Sequence, residues 1–538
     1  MPQEKYSEQI FCVVGSGPAG VSASKALLDS GRKVTMIDVG KDFTPLKSRI
    51  LDSQETQFSQ TINSDQKNIL YARETAETNT LLNEKLCFGS NHAYDPLIFR
   101  EKDGGRSIYL NQSCAIGGLG NVWGGAALPF RPQSFSNWPI NLGDLEQHYR
   151  EVLRLTGLAA TRDDLEEDYP LYAKSDQPLD ISNQVNALLQ KLRTNRMLLN
   201  ASGIQFGRSR IAMQNKDLNN KNCIYCGECM NGCPKQLIFN SRTAVKEFSK
   251  NPKFKYISNV ILEKFEEKSG YVKLFIRDTD TQLKSHLDVT RVFIACGAIN
   301  TTNICIESFG WHGTSFALKD SQYFYFPVFQ RKLDLLNSRK EIAHTLCEMF
   351  LELDLPVGGK IQRSHLQVYR FSDPFRSIAL SKNMLLKLLP TKIRDYLFDR
   401  TLAIQGYLPS DISPTLNFQL SRNGKRSFFL SNEQYAKETV ETIRRLLNGY
   451  CSKLNFLPIF KFVVGLGAPG SGSHFGGSLP MRTKPSRFES DLFGRPNKCL
   501  RVHCIDASVL PSIESETITL TVMANAHRIA SQQLGEHA

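Results

Sequence analysis

Two stretches of this 538-residue chain carry residues whose spacing implies chemistry. The first is NCIYCGECMNGCPKQ, where Cys223, Cys226, Cys229 and Cys233 follow C-x2-C-x2-C-x3-C and Pro234 comes next. This is a spacing that ligates iron–sulfur clusters. Four readings compete on the residues alone: an iron–sulfur cluster, a zinc ion, a disulfide pair, or thiols that merely pack. Structural zinc sites usually show two separated ligand pairs, and a disulfide suits an oxidising compartment. The second stretch is QIFCVVGSGPAGVSASKALLDSGRKVTMIDVG. Gly15, Gly17 and Gly20 form G-x-G-x-x-G, and Asp38 lies 23 positions after Gly15. Such glycines let the backbone approach a pyrophosphate, a helix N-terminus supplies N–H donors, and the acid accepts from ribose hydroxyls. Asp38 by itself does not choose between FAD and NAD.

The elements that must position these groups are legible as periodicities. Ile10 to Val14 is a short apolar strand; Ala19, Ala23, Ala26 and Leu27 share one face of a following helix. KVTMID then reads as a second strand ending at Asp38, and β–turn–α–β with an acid in this place is the dinucleotide fingerprint. Far downstream, YFYFPVFQ, HLQVYRF and TLNFQL read as strands. Residues 376–400, RSIALSKNMLLKLLPTKIRDYLFDR, mix apolar side chains with Lys382, Lys387, Lys392, Arg394 and Arg400. Pro390 is expected to break this segment into two short amphipathic helices. They are expected to pack as an ordinary pair of the substrate region or, as the sharper alternative, to touch an anionic membrane surface.

The length exceeds one ordinary core, so two domains, interleaved or consecutive, are expected. With 41% hydrophobic and 22% charged residues, the composition is that of a soluble globular protein. The 13 cysteines include nine scattered ones, read as small buried hydrophobes. A formal net charge of +13 suits an anionic substrate or surface, but no groove-reading basic module appears, so no nucleic-acid partner is expected. Neither a signal peptide nor an apolar run of about 18 residues is evident, which makes the cytoplasm the expected location.

Four further pieces decide what the two stretches belong to. GSGSHFGGSLPM (470–481) resembles the H-x-x-G-T-x-x-M signature of the glucose–methanol–choline (GMC) flavoprotein oxidoreductases, with Ser478 in the threonine position. CLRVHCIDASVLPSIESETITLTVMANAHRIA resembles the family's C-terminal block. AIGGLGNVWGGAALPF (115–130) is similar to its glycine-rich flavin-contact segment, and VFIACGAINTTNICIES (292–308) to its strand–turn–helix near the cofactor. The motifs occur in family order and span nearly the whole chain.

The resemblance implies an α/β fold: a Rossmann-type FAD-binding domain built from separated segments, plus an inserted α+β substrate domain with an antiparallel sheet. On this chain the FAD-binding parts are expected at 1–130, 201–318 and 462–538, a cap region at 131–200, and the substrate domain at 319–461. The implied FAD contacts are Gly15, Gly17, Gly20, Asp38, Gly117, Gly118, Asn121, Gly297, Asp506, Ala507 and Thr519. GGLGNVWGG contains no histidine, so the FAD is expected to be non-covalent. The implied activity is oxidation of an alcohol or sugar hydroxyl to a carbonyl, with hydride passing to flavin N5 and His474 as base. Imidazole suits that role because its unperturbed pKa, about 6.5, leaves it largely neutral near pH 7. Where the family usually has Asn or His as a second polar group, this chain has Thr517, which is expected to orient the substrate. Some sugar dehydrogenases of the family carry an iron–sulfur cluster in a cysteine-rich loop. That implies a possible cluster on Cys223, Cys226, Cys229 and Cys233 that hands electrons to an external acceptor, and favours a dehydrogenase. An oxygen-reducing oxidase and a flavin-binding protein of weakened turnover stand as alternatives.

Overall fold

The computed structural model describes residues 10–56, 64–72, 85–95, 97–100, 107–174, 177–215, 222–331, 343–431 and 434–532. A parallel sheet of five strands forms its base, in the order Val502–Cys504, Arg291–Ile294, Phe11–Val14, Val34–Ile37, Phe254–Ile257. The strands are short and apolar, as befits a sheet covered on both faces. Phe11–Val14, for instance, is buried throughout. The chain leaves Phe11–Val14 toward Val34–Ile37 on one side and returns as Arg291–Ile294 on the other. Between those returns lies the switch point at which open α/β sheets hold ligands.

Two helices starting from glycine caps open toward that crevice: Pro18–Asp29, capped by Gly17, and Ala298–Phe309, capped by Gly297. The last helix, Thr519–Gln532, packs along Pro18–Asp29, and the Ser22 hydroxyl donates to the Met523 carbonyl at 2.7 Å. Small residues of the first helix (Ala19, Ser22, Ala23, Ala26) allow this close approach.

A six-stranded antiparallel sheet stands beside this base, in the order Gly465–Leu466, Tyr323–Phe329, Thr401–Tyr407, Lys360–Arg370, Met349–Val357, Ile204–Arg208. Its strands alternate strictly. Leu351, Leu353, Leu366, Val368, Leu402 and Ile404 enter an apolar core shared with helices Asn183–Thr194 and Gln434–Gly449. The intervening residues, Glu352, His365, Gln367 and Tyr407, occupy the opposite face and are also buried. A four-stranded sheet, Arg426–Ser431, Thr415–Leu420, Ser315–Asp320, Phe475–Gly476, connects to the parallel base through its last strand. The expected strands therefore form, although TLNFQL lies in this smaller sheet rather than with the other two.

The 376–400 segment departs from expectation. It forms three helices, Asp373–Lys382, Met384–Leu388 and Thr391–Asp399, instead of two. The break expected at Pro390 is present, and Asn383 makes an additional one by accepting from the backbone N–H groups of Leu385 and Leu386.

Candidate active site

The dinucleotide loop has the geometry its glycines predict. Gly15 has φ +98°, and a Cβ there would lie 2.5 Å from the Ala295 carbonyl oxygen, so the neighbouring strand ends meet only over glycine. At Gly20 a Cβ would come 1.9 Å from the Gly15 carbonyl, which fixes the helix against the turn. Gly17 and Gly297, at the two helix starts, face nothing within 4 Å of a built Cβ. A tight loop flanked by open space at two N-termini is a cradle for a diphosphate, and the residues present fit FAD in that respect. Asp38 accepts from the Ser16 hydroxyl and from Tyr256 at 3.3 Å. Burial pushes its carboxyl up to about 6, against the lowering pull of those hydroxyls.

The glycine-rich segment docks onto this loop. The Gly117 N–H donates to Ser16 Oγ at 2.8 Å, and Gly118 approaches Gly17. Asn121 is buried and donates to the carbonyls of Ile116 and Gly118, while its Oδ1 has no partner within the protein. Asp506 is buried, receives the Thr301 hydroxyl at 2.5 Å and the Ser508 N–H at 2.9 Å, and so binds the turn 506–508 to the helix behind Gly297. Ala507 is nearly closed off, and Thr519 begins the final helix. Gly15, Gly17, Gly20, Gly117 and Gly118 thus meet at one turn with Ser16 and Asp38, while Gly297, Asp506 and Ala507 gather at the start of the second helix.

His474 sits on the loop entering Phe475–Gly476. Its carbonyl accepts from the Ser321 N–H at 2.9 Å, and Ser473, at φ +58°, is held by Asn111. Next door, the buried Asp320 carboxyl accepts from the Gly470 N–H at 2.8 Å, and burial raises it to about 7. The His474 ring stacks on Tyr407, with centroids 4.8 Å apart, and its Nδ1 is buried without a partner. Burial, reinforced by His365, lowers its pKa to about 4, so the imidazole is neutral at pH 7.

Thr517 behaves differently from an exposed second polar group. It is buried and donates its only hydroxyl hydrogen to the Ala126 carbonyl at 2.9 Å, pinning the C-terminal block to the glycine-rich segment.

The polar side of the six-stranded sheet brings residues that sequence reasoning missed. Glu352, His365 and Tyr407 are cross-strand neighbours in one row. Glu352 and His365 Nδ1 are 2.7 Å apart, and both side chains are fully buried. Glu352 also meets the Tyr169 phenol at 3.1 Å, and the same phenol lies 2.6 Å from Glu516, which pairs with Arg131 at 3.1 Å. Gln367 contacts His365 Nε2 at 3.3 Å and accepts from Tyr369 at 2.6 Å. The Gln367 amide nitrogen faces His365 Nε2, and His365 Nδ1 faces the Glu352 carboxylate.

Cys223, Cys226, Cys229 and Cys233 line one small apolar hollow with Leu179, Met213 and Ile238. Burial and repulsion from the neighbouring thiols push Cys223 up to about 12 and Cys233 to about 11, and the Tyr225 N–H donates to Cys223 Sγ at 3.4 Å. Yet among the described residues no group of three or more His, Cys, Asp or Glu converges closely enough to hold a metal ion. The loop therefore lacks a preformed single-ion site of the zinc type. A second cavity, bordered by Cys229 and Cys233, also touches Gly120, Asn121 and Trp123 of the glycine-rich segment.

No family model matches the chain, and no curated protein matches it. Among solved structures, pyridoxine 4-oxidase from Mesorbium loti aligns over 99% of this chain and 100% of its own, with a TM-score of 0.61 and 12% sequence identity. The chain has the pyridoxine 4-oxidase fold. The parallel base with its adjoining antiparallel sheet is that fold's architecture, and it agrees with the GMC resemblance carried by the motifs.

Proposed function

We propose that the protein is an FAD-dependent oxidoreductase that converts the CH–OH group of a small alcohol or sugar to a carbonyl, with His474 as the base. What supports this reading is a neutral, partly exposed His474 whose ring stacks on Tyr407, at the buried polar row of the six-stranded sheet. Bound FAD supplies the hydride acceptor. With Nδ1 buried, Nε2 is the nitrogen left to take the hydroxyl proton. Tyr407 fixes the ring plane by stacking, and the fully buried Glu352–His365 pair lies behind it on the neighbouring strands. Thr517 positions the chain instead of touching the substrate, since its hydrogen is already donated. The fold of pyridoxine 4-oxidase, by name an enzyme that oxidises pyridoxine at position 4, supports the reaction class.

Anaerobic mixing with a panel of alcohols tests the base. His474→Ala should slow flavin bleaching by about 10²–10⁴-fold while the bound-FAD spectrum persists; undiminished bleaching would refute the assignment. Peroxide formed alongside product separates an oxidase from a dehydrogenase.

The reading extends to the cysteine run. Cys223, Cys226, Cys229 and Cys233 would hold an iron–sulfur cluster, which supplies one-electron chemistry next to the glycine-rich segment. A tetrahedral zinc site needs sulfurs only roughly 3.8 Å apart, given Zn–S near 2.3 Å. The contiguous C-x2-C-x2-C-x3-C run supports the cluster over zinc, whose structural sites usually show two separated ligand pairs. Iron and sulfide assays on anaerobically purified protein decide it: stoichiometric iron that Cys229→Ser removes is expected, and iron-free protein with intact flavin sinks this part alone.

A further inference from the structure

The helical insertion between strands Lys360–Arg370 and Thr401–Tyr407 exposes more apolar surface than packing explains. Its inner side is complete. Phe375 packs against Tyr369 and Phe371, and Phe371 against Phe398, at centroid distances of 5.4 to 6.0 Å, and Arg376 pairs with Asp399 at 2.7 Å. Its outer side carries Met384, Leu385 and Leu388 at 68, 74 and 75% exposure, followed by Ile393 and Tyr396 at 49 and 45%. Helix Met384–Leu388 has no buried residue at all. Isolated exposed apolar side chains are ordinary, but five within 13 positions of one projecting element are an interaction surface (384 to 396).

The same end of the sheet bears a second segment of this kind. Phe329 pairs with Thr401, and the Leu457 N–H donates to the Phe329 carbonyl at 2.8 Å. Leu457 and Phe460 are 41 and 59% exposed, and Lys461 beside them is exposed. Lys387 and Lys392 stand exposed among the apolar residues of the insertion, with Arg394 close by; among the described residues none of the three has an ion-pair partner.

We propose that this crest seats the protein on an anionic lipid bilayer, with Met384, Leu385 and Leu388 entering the acyl boundary and Lys387, Lys392 and Arg394 at the headgroups. Charge complementarity selects the occupant: unpaired cations ring an apolar tip on a chain of net charge +13. Shape selects lipid over a protein partner. A five-residue helix with no buried residue is a convex knob, which fluid acyl chains accommodate, and lysine stems snorkel past it to the headgroups. The insertion joins the two strands at their Arg370 and Thr401 ends, the opposite end of strand Thr401–Tyr407 from the residue that stacks on His474. The inference stands independently of the chemistry proposed above.

Co-sedimentation of the full-length protein with vesicles of phosphatidylcholine plus phosphatidylserine, and of phosphatidylcholine alone, tests it. Binding to the anionic vesicles that weakens with salt is expected. The paired change Lys387→Glu with Lys392→Glu should lower the partition coefficient at least about 25-fold, at roughly fivefold per cation. The triple change Met384→Glu, Leu385→Glu, Leu388→Glu should abolish binding while melting temperature and flavin spectrum stay unchanged, because these side chains support no packing. Four results would overturn the proposal: no binding by the parent protein, equal binding to both vesicle types, binding unaffected by either variant, or a dimer in analytical ultracentrifugation that the triple variant dissolves.

Discussion

At the scale of single residues, the neutral state of His474 sets a pH dependence. A base with pKa about 4 stays deprotonated down to that pH, so the acid limb of kcat/KM should fall near 4 instead of near the ordinary 6.5. The cause is burial first and the adjacent His365 second. His365→Gln removes the second, so the limb should move upward in pH; a pH profile with an unmoved limb would show that His365 does not act on His474. A purely structural role for His365 would lower stability without moving the limb. His474 was legible because its signature is contiguous in sequence and every position in it is local. His365, Glu352 and Gln367 were not. On a strand, alternating polar residues ordinarily mean a solvent-facing side, and nothing in SHLQVYR shows that this side is turned inward onto a crevice. The pairing that reveals it joins Glu352 to His365 and His365 to Tyr407, and register between strands is a tertiary property.

At the scale of elements, the row depends on one missing side chain. Gly406 pairs with Phe324, and a Cβ at 406 would fall 2.2 Å from the Phe324 ring. Gly406→Val must displace that ring or the strand carrying Tyr407. It should cost about 1–3 kcal/mol by thermal melting and slow flavin reduction as well, because Tyr407 moves away from His474. A variant with parent stability and parent rate would show that the strand absorbs the change. Strand and helix positions in the dinucleotide unit were read within a residue or two, since apolar period and glycine spacing agree there. The 376–400 segment was read with one helix too few. Proline announces its break through a missing donor, whereas Asn383 breaks a helix only if its side chain turns back to cap the next one.

At the scale of the whole molecule, the crevice is closed by parts far apart in sequence, and FAD would bridge them. A ligand that binds only the folded state stabilises it, by about 2.7 kcal/mol at 100 times its dissociation constant. Removing FAD should therefore lower the melting temperature, and adding it back should restore the holoprotein value in proportion to the logarithm of its concentration. Identical melting curves with and without FAD would argue that the cradle at Gly17 and Gly297 serves another purpose. Motif order along the chain made this architecture readable. What it could not convey is how the C-terminal block is fastened, through Thr517 to Ala126, Glu516 to Arg131 and Ser22 to Met523.

That last contact, between residues 501 positions apart, bears on how the protein is made. A ribosome adding about 5–20 residues per second needs roughly 25–100 s to travel from Ser22 to Met523. In the later part of that time the strand Arg291–Ile294, once synthesised, waits with one edge bare for Val502–Cys504. The nascent chain thus exposes an apolar, unpaired sheet edge of the kind chaperones shield, and the cofactor crevice cannot be completed until residues 502–523 have been made. Ribosome-bound chains stalled before residue 502 should be retained by holdases and capture no flavin, whereas released chains should load it within one folding event.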